Sequence, residues 1–151
     1  MYGIYLVGVV ELLKQIHHAA IICSNYEKSK SFYVDLLGLK VIRETFRSER
    51  QSYKLDLQIG TSQIELFSFS ESPSRLSYPE ARGLRHLAFE VDNVELSKKW
   101  LEDKGVTVEA VRMDELTGKK FTFFCDPDGL PLELYEAKNP DKENFSNKKV
   151  E

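Results

Sequence analysis

Apolar and polar positions follow two rhythms along this chain, a strand-like alternation and a helix-like spacing, and the succession of rhythms occurs twice. His18-Ala19-Ala20-Ile21-Ile22 alternates as a strand, a polar Ser24-Asn25 turn follows, and Phe32, Leu36 and Leu37 then recur at helical spacing up to Gly38. The same order returns in His86-Leu87-Ala88-Phe89-Glu90, the turn Asp92-Asn93, a helical stretch with Leu96, Trp100 and Leu101, and a stop at Gly105. Asn25, and Asp92 or Asn93, have the side chains that cap helix N-termini, and glycine is the usual stop. After each helix the pattern predicts three strands: 41–47, 53–59 and 63–69 in the first half, 108–114, 120–125 and 131–136 in the second. Gly60-Thr61 and Asp126-Pro127-Asp128-Gly129 supply tight connections. Each half is therefore βαβββ, and the expected fold is α+β, two such modules forming an incomplete eight-stranded barrel.

Module one spans 14–69 and module two 84–137 of a single domain, 14–137, joined by a serine- and proline-containing linker, 70–83. Residues 1–13 form an N-terminal arm. Its apolar run is about half a bilayer span and lacks a basic start or a small-residue cleavage site, so neither a membrane span nor a signal peptide is expected. An extra strand or arm packed on the domain or on a partner subunit, an expression scar and a mis-assigned start codon all fit it. The tail 138–151 is polar, lysine-rich and expected to fray.

Strand alternation assigns faces to the polar residues inside the repeats. His18 shares a face with Ala20 and Ile22, and His86 with Ala88 and Glu90, while the bulkier opposite faces should pack on the helices. Glu65 shares its face with Phe67 and Phe69, and Glu133 shares its face with Tyr135. His18 and His86 lie 68 residues apart, as do Glu65 and Glu133, and each histidine precedes its glutamate by 47. Each glutamate also sits in the same phrase, Ile64-Glu65-Leu66 and Leu132-Glu133-Leu134. A glutamate flanked by apolar strand residues costs several kcal/mol if buried without a partner. A cation between two glutamates and two histidines removes that cost for all four. His18, Glu65, His86 and Glu133 are therefore the expected ligands of one divalent metal ion. The bland alternative is two His–Glu pairs that hold the sheet halves together. A lone strand histidine is more often structural, which is the expected role of His17. Imidazole and carboxylate together suit Ni, Zn, Co, Mn or Fe, and four protein ligands leave an octahedral ion two open positions. Phe67, Phe69 and Tyr135 would wall the substrate site.

Composition narrows the partners. The 151 residues are 42% hydrophobic and 30% charged, an ordinary globular balance, with a formal net charge of −3 and no basic patch. Nucleic acid is therefore not an expected partner, nor is a membrane; a small-molecule substrate is. Cys23 and Cys125 form no spaced framework, which points to a reduced, cytoplasmic setting. Cys125 is expected to be a small buried residue.

The paired modules and the His…Glu…His…Glu register resemble the vicinal oxygen chelate superfamily, which holds glyoxalases, extradiol dioxygenases, epimerases, fosfomycin-resistance transferases and bleomycin-binding proteins. The phrases Gly83-Leu84-Arg85-His86-Leu87-Ala88-Phe89 and Phe123-Phe124-Cys125-Asp126-Pro127-Asp128-Gly129-Leu130-Pro131-Leu132-Glu133-Leu134 carry the resemblance, which covers 13–136. A glutamate at position 65 makes the chain most similar to bacterial glyoxalase I-like (lactoylglutathione lyase-like) members. The resemblance implies a homodimer and one divalent metal per site. It also implies a lyase or isomerase acting on an α-hydroxycarbonyl or hemithioacetal through an enediolate, with Glu133 or Glu65 carrying the proton. A binding protein for an antibiotic or other small molecule, and a ring-cleaving dioxygenase, are the alternatives the superfamily offers. The sequence departs from glyoxalase I at Ile22 and Phe69, where that enzyme has an arginine and an asparagine for glutathione. Arg47, Arg50, Arg82 and Lys119 are the remaining candidates to meet glutathione carboxylates.

Overall fold

The computed structural model describes residues 12–69 and 71–137; most of the expected N-terminal arm and all of the polar tail lie outside the described residues. In chain order the elements are β1 (His18–Cys23), α1 (Tyr26–Lys30), β2 (Lys40–Arg47), β3 (Ser52–Ile59), β4 (Ser62–Ser68), β5 (Leu87–Val91), α2 (Val94–Asp103), β6 (Arg112–Met113), β7 (Lys120–Cys125) and β8 (Pro131–Glu136). They form two four-stranded sheets of matching order, β1-β4-β3-β2 and β5-β8-β7-β6. In each sheet the first strand runs parallel to the last, and the other pairings are antiparallel. No strand pairing joins the two sheets among the described residues, so the eight strands make an open arrangement, the incomplete barrel expected of two βαβββ units.

Local chemistry places the helices where the sequence puts them. The Asn25 side chain accepts from Lys28 N at 3.0 Å, and Asn93 rather than Asp92 caps α2, accepting from Leu96 N at 2.9 Å. The first helix does not stay regular. Beyond Lys30 it widens into a π-helical stretch over Ser31–Leu36, with Leu37 N donating to Phe32 O five residues back at 2.9 Å. Gly38 and Gly105 then take positive φ, +75° and +84°, the left-handed geometry that ends a helix cheaply only at glycine.

The face opposite the histidines carries the core. Ile21, Leu55, Leu57, Ile64 and Leu66 of the first sheet, and Phe124, Leu132 and Leu134 of the second, are buried. Full burial of each such side chain is worth about 1.5–3 kcal/mol. Two expectations need correction. Leu96 and Trp100 are exposed, because α2 buries the stripe through Val94 and Leu101, and the Trp100 ring instead carries Lys104 Nζ 4.6 Å from its centroid. The expected strand 108–114 forms ladder pairs only at Arg112–Met113; ahead of them Glu109 N still donates to Phe123 O at 2.9 Å, while Glu109 O accepts from the buried Thr122 hydroxyl at 2.8 Å instead of from a ladder N–H.

Among the described residues, two residue pairs make polar contacts that tie the modules. The fully buried Tyr33 donates its hydroxyl to Asp126 Oδ2 at 2.9 Å, while Asp126 Oδ1 accepts from Asp128 N and Leu130 N and closes the turn before β8. Burial and the adjacent Asp126 charge push the Tyr33 hydroxyl up, so it remains a donor. Ser24 adds its backbone N–H and hydroxyl to the Asp128 carboxylate. Tyr33→Phe should lower the unfolding free energy by about 1.5–3 kcal/mol, the worth of a hydrogen bond to a charged group, as read by denaturant titration. A second prediction concerns acid stability. Glu44 on β2 accepts from Tyr26 Oη at 2.6 Å and from Lys30 Nζ at 2.9 Å, and these two donors, Tyr26 foremost, hold its carboxyl below the usual range. Its contribution is present above the ordinary carboxylate value and is lost as pH falls through the lower folded one. Glu44→Gln should therefore make the stability curve shallower on its acid side; an unchanged acid limb would contradict this.

Candidate metal centre

The parallel pairings place the histidines and glutamates. In β1–β4, Ala20 lies opposite Glu65 and Ile22 opposite Phe67, so His18 is the diagonal neighbour of Glu65 on one face. In β5–β8, Ala88 lies opposite Glu133 and Glu90 opposite Tyr135. His86 stands one residue before β5, at the same diagonal. His18 Nε2 is 3.7 Å from Glu65 Oε2, and His86 Nε2 is 3.0 Å from Glu133 Oε2. Donors about 2.1 Å from a common ion stand about 3.0–3.4 Å apart at right or tetrahedral angles, and these two pairs bracket that separation.

The pairs do not come together within the chain. Among the described residues no group of three or more histidine, cysteine, aspartate or glutamate side chains is close enough to share an ion. Each sheet therefore presents half of the expected ligand set. The donor types fit a divalent cation, and the number of donors in either half does not complete its shell.

The surroundings of the halves differ. In module one, Phe67 and Phe69 stack with their centroids 6.1 Å apart, and the Arg47 guanidinium lies over both, at 4.9 and 5.4 Å. Glu65, expected as a metal ligand, also accepts from Lys54 Nζ at 2.8 Å, and Lys54 reaches Asp56 Oδ1 at 2.5 Å. Arg43 Nε and Nη2 hold Asp56 Oδ2, each at 3.3 Å. Burial is the largest single influence and opposes the charge on both Lys54 and Asp56, but their mutual hydrogen bond and charge, with Glu65 beside the lysine and Arg43 beside the aspartate, together outweigh it, so the lysine is held up and the aspartate down. This charged group escaped the sequence reading. Its signal was present in Lys54-Leu55-Asp56-Leu57, where alternation puts two charges on the glutamate face of an inner strand.

In module two the neighbours are aromatic. Phe123 lies directly across from Glu133 and Phe121 across from Tyr135; the His86 and Phe123 rings meet edge to face at 5.1 Å. The Tyr135 hydroxyl hydrogen-bonds with Thr117 Oγ1 at 2.6 Å and donates to Asp114 Oδ2 at 2.9 Å, which fixes its ring in the wall. A cavity of about 560 Å³ opens beside His86, lined by Tyr78, Arg85, Arg112, Phe123 and Cys125. Cys125 is exposed there, against expectation, because it shares the open face with Phe123 rather than the core face with Phe124. Burial of its sulfur and the Asp126 charge push its thiol up, which disfavours the reactive thiolate. Cys23 is the buried one, and both cysteines are free. His17 is exposed and joins the site's edge, its Nδ1 3.0 Å from His18 Nδ1, an arrangement that leaves His18 Nε2 turned to Glu65.

Comparison with known proteins places this geometry. The model of the family described as Glyoxalase/Bleomycin resistance protein/Dioxygenase superfamily matches residues 15–134. Uncharacterized protein YwkD of Bacillus subtilis is 62% identical over 126 residues, 83% of this chain and 98% of that protein. The crystal structure of a glyoxalase family protein from Enterococcus faecalis superposes with a TM-score of 0.77 at 53% identity, covering 82% of this chain and 98% of that one. A metallothiol transferase FosB from Staphylococcus saprophyticus is more distant, 26% identical over 89% of this chain and 84% of its own length. Superfamily relatives named as a lactoylglutathione lyase and a methylmalonyl-CoA epimerase lie at a similar distance. The chain belongs to the glyoxalase/bleomycin resistance/dioxygenase superfamily.

Proposed function

We propose that the chain is a metal-dependent lyase or isomerase of the glyoxalase type, acting on a small α-hydroxycarbonyl compound or its hemithioacetal. The observation that carries this reading is the matched pair of half-sites, each with a histidine Nε2 turned to a glutamate oxygen on the sheet face away from the helices. His18 and Glu65 from one chain, with His86 and Glu133 from a second, would complete the shell of one divalent ion, so the working enzyme is a homodimer with two sites. A divalent ion held there would supply Lewis acidity, which makes the C–H next to the substrate carbonyl easier to deprotonate.

The protein's own groups supply the rest. Glu133 is nearly buried, 8% exposed, and lies against Phe123. A carboxylate in such surroundings can take a proton from one carbon and return it to the next without losing it to water. The aromatic walls, Phe67 and Phe69 on one half and Tyr135 with Phe121 and Phe123 on the other, exclude water and fit an apolar substrate body. The superfamily relatives named as a lyase, an epimerase and a metallothiol transferase support chemistry at an oxygen-bearing substrate, and the thiol carrier is left open by Ile22 and Phe69. The cavity beside His86 also suits a module that only sequesters an aromatic ligand. Ligand binding that survives full chelation would favour that second reading.

Two measurements check the proposal. Chelator-stripped protein given the methylglyoxal–glutathione hemithioacetal, with Ni²⁺, Zn²⁺, Co²⁺ or Mn²⁺ added back, should regain turnover. Glu133→Gln should lower that turnover by a factor of about 10² or more while leaving the circular dichroism unchanged, the usual scale for loss of a general base; full activity in the variant would end the assignment. Chain sharing has its own test. His18→Ala and His86→Ala chains, each inactive, should recover about a quarter of wild-type activity when unfolded and refolded together, because each heterodimer would hold one intact site. No recovery despite demonstrated heterodimers would place the site within one chain.

A further inference from the structure

The two half-sites are copies in register but not in chemistry. Across β3–β4, Glu65 faces Asp56 and Phe67 faces Lys54; across β7–β8, Glu133 faces Phe123 and Tyr135 faces Phe121. The repeat thus puts an ion pair at Lys54 and Asp56 where the second module has two phenylalanines. Asp56 is only 4% exposed on an inner strand, and a carboxylate so placed requires a counter-charge. Arg43 already provides one at 3.3 Å. Lys54, with its side chain 22% exposed, does something more: it spans Asp56 and Glu65 together.

The consequence lies in the two oxygens of Glu65. Oε1 accepts from Lys54 Nζ at 2.8 Å, and Oε2 faces His18 Nε2 at 3.7 Å. Glu133 likewise turns Oε2 to its histidine, but among the described residues no hydrogen bond to a lysine or arginine ties its other oxygen. Resting on the metal reading above, we propose that Lys54 is a positioning residue that occupies Glu65 Oε1, so that Glu65 offers a cation one oxygen only and is kept from swinging away. A charge-assisted hydrogen bond is about twice as strong as a neutral one, and breaking this one would leave Lys54 with Asp56 as its one carboxylate partner. Glu65 is therefore the fixed ligand of the set, and Glu133, walled by aromatic rings, is the carboxylate free to move. Asp56 and Arg43 act one step further out, holding Lys54 in place.

Cobalt serves as both ligand and reporter. The full chain, its Lys54→Met variant and its Lys54→Arg variant are loaded with Co²⁺, and the visible absorption of the bound ion is recorded beside the binding stoichiometry. Lys54→Met should still bind one Co²⁺ per chain, but with a shifted and weakened band, because the released Oε1 joins the ion and raises its coordination number. Lys54→Arg, whose guanidinium can still donate to Oε1, should restore the wild-type band. A purely structural lysine would change stability and leave the cobalt spectrum alone. Superimposable spectra for wild type and Lys54→Met therefore overturn the proposal while leaving the metal reading intact. Wild-type protein that binds no Co²⁺ overturns the metal reading and this proposal with it. If Lys54→Met does not fold, Lys54→Met combined with Asp56→Asn, which removes the charge left without its lysine, carries the same comparison.

Discussion

Parallel pairing of the first strand of each module with its last is the constraint on which the rest of the molecule depends. Residues 18–23 and 62–68 are far apart in sequence, with a helix and two strands between them, and β1–β4 pairing brings Ala20 opposite Glu65. The same pairing in module two brings Ala88 opposite Glu133. Because side chains alternate with a period of two, a slip of one residue in either pairing would put that module's histidine and glutamate on opposite faces and break its diagonal. Register is in turn held by what lies beneath. Ile21, Ile64, Leu66, Leu55 and Leu57 fill one face of the first sheet, and a slip would expose them all. The apolar core thus fixes the position of the polar site through register.

Duplication is what made the site legible. One histidine and one glutamate 47 residues apart carry little information; the same interval repeated at an offset of 68 carries a great deal. Alternation then gave the correct face for His18, Glu65 and Glu133, and the helix boundaries followed from Asn25, Asn93, Gly38 and Gly105. What the sequence concealed has physical reasons. Periodicity says which side of a sheet a residue is on and nothing about how far apart two sheets stand, so the separation of the four expected ligands into two His–Glu pairs could not be read. The helical spacing of Leu96, Trp100 and Leu101 marked an apolar helix, yet the buried stripe runs through Val94 and Leu101. Ahead of Arg112 the chain meets β7 through single contacts, Glu109 N to Phe123 O and the Thr122 hydroxyl to Glu109 O, which only the folded chain reveals.

The two modules have diverged where their shared geometry leaves room. Module one surrounds its glutamate with charge, through Lys54, Asp56 and Arg43, and module two surrounds its glutamate with Phe121, Phe123 and Tyr135. A buried charged group of this kind gains little stability over a well-packed apolar one, so its presence is better explained by the placement it imposes. A carboxylate that stays put and one that can move are the two things a proton-shuttling site needs from a pair of glutamates.

The central claim is that one ion gathers both half-sites. X-ray absorption at the metal edge of the nickel-loaded protein tests it directly, because ordered imidazole rings are counted through their multiple-scattering features. The account predicts two imidazoles per ion in the wild type and one in either His18→Ala or His86→Ala. Two imidazoles retained in both variants, or only one in the wild type, would contradict it, since the ion would then be held without bringing His18 and His86 together.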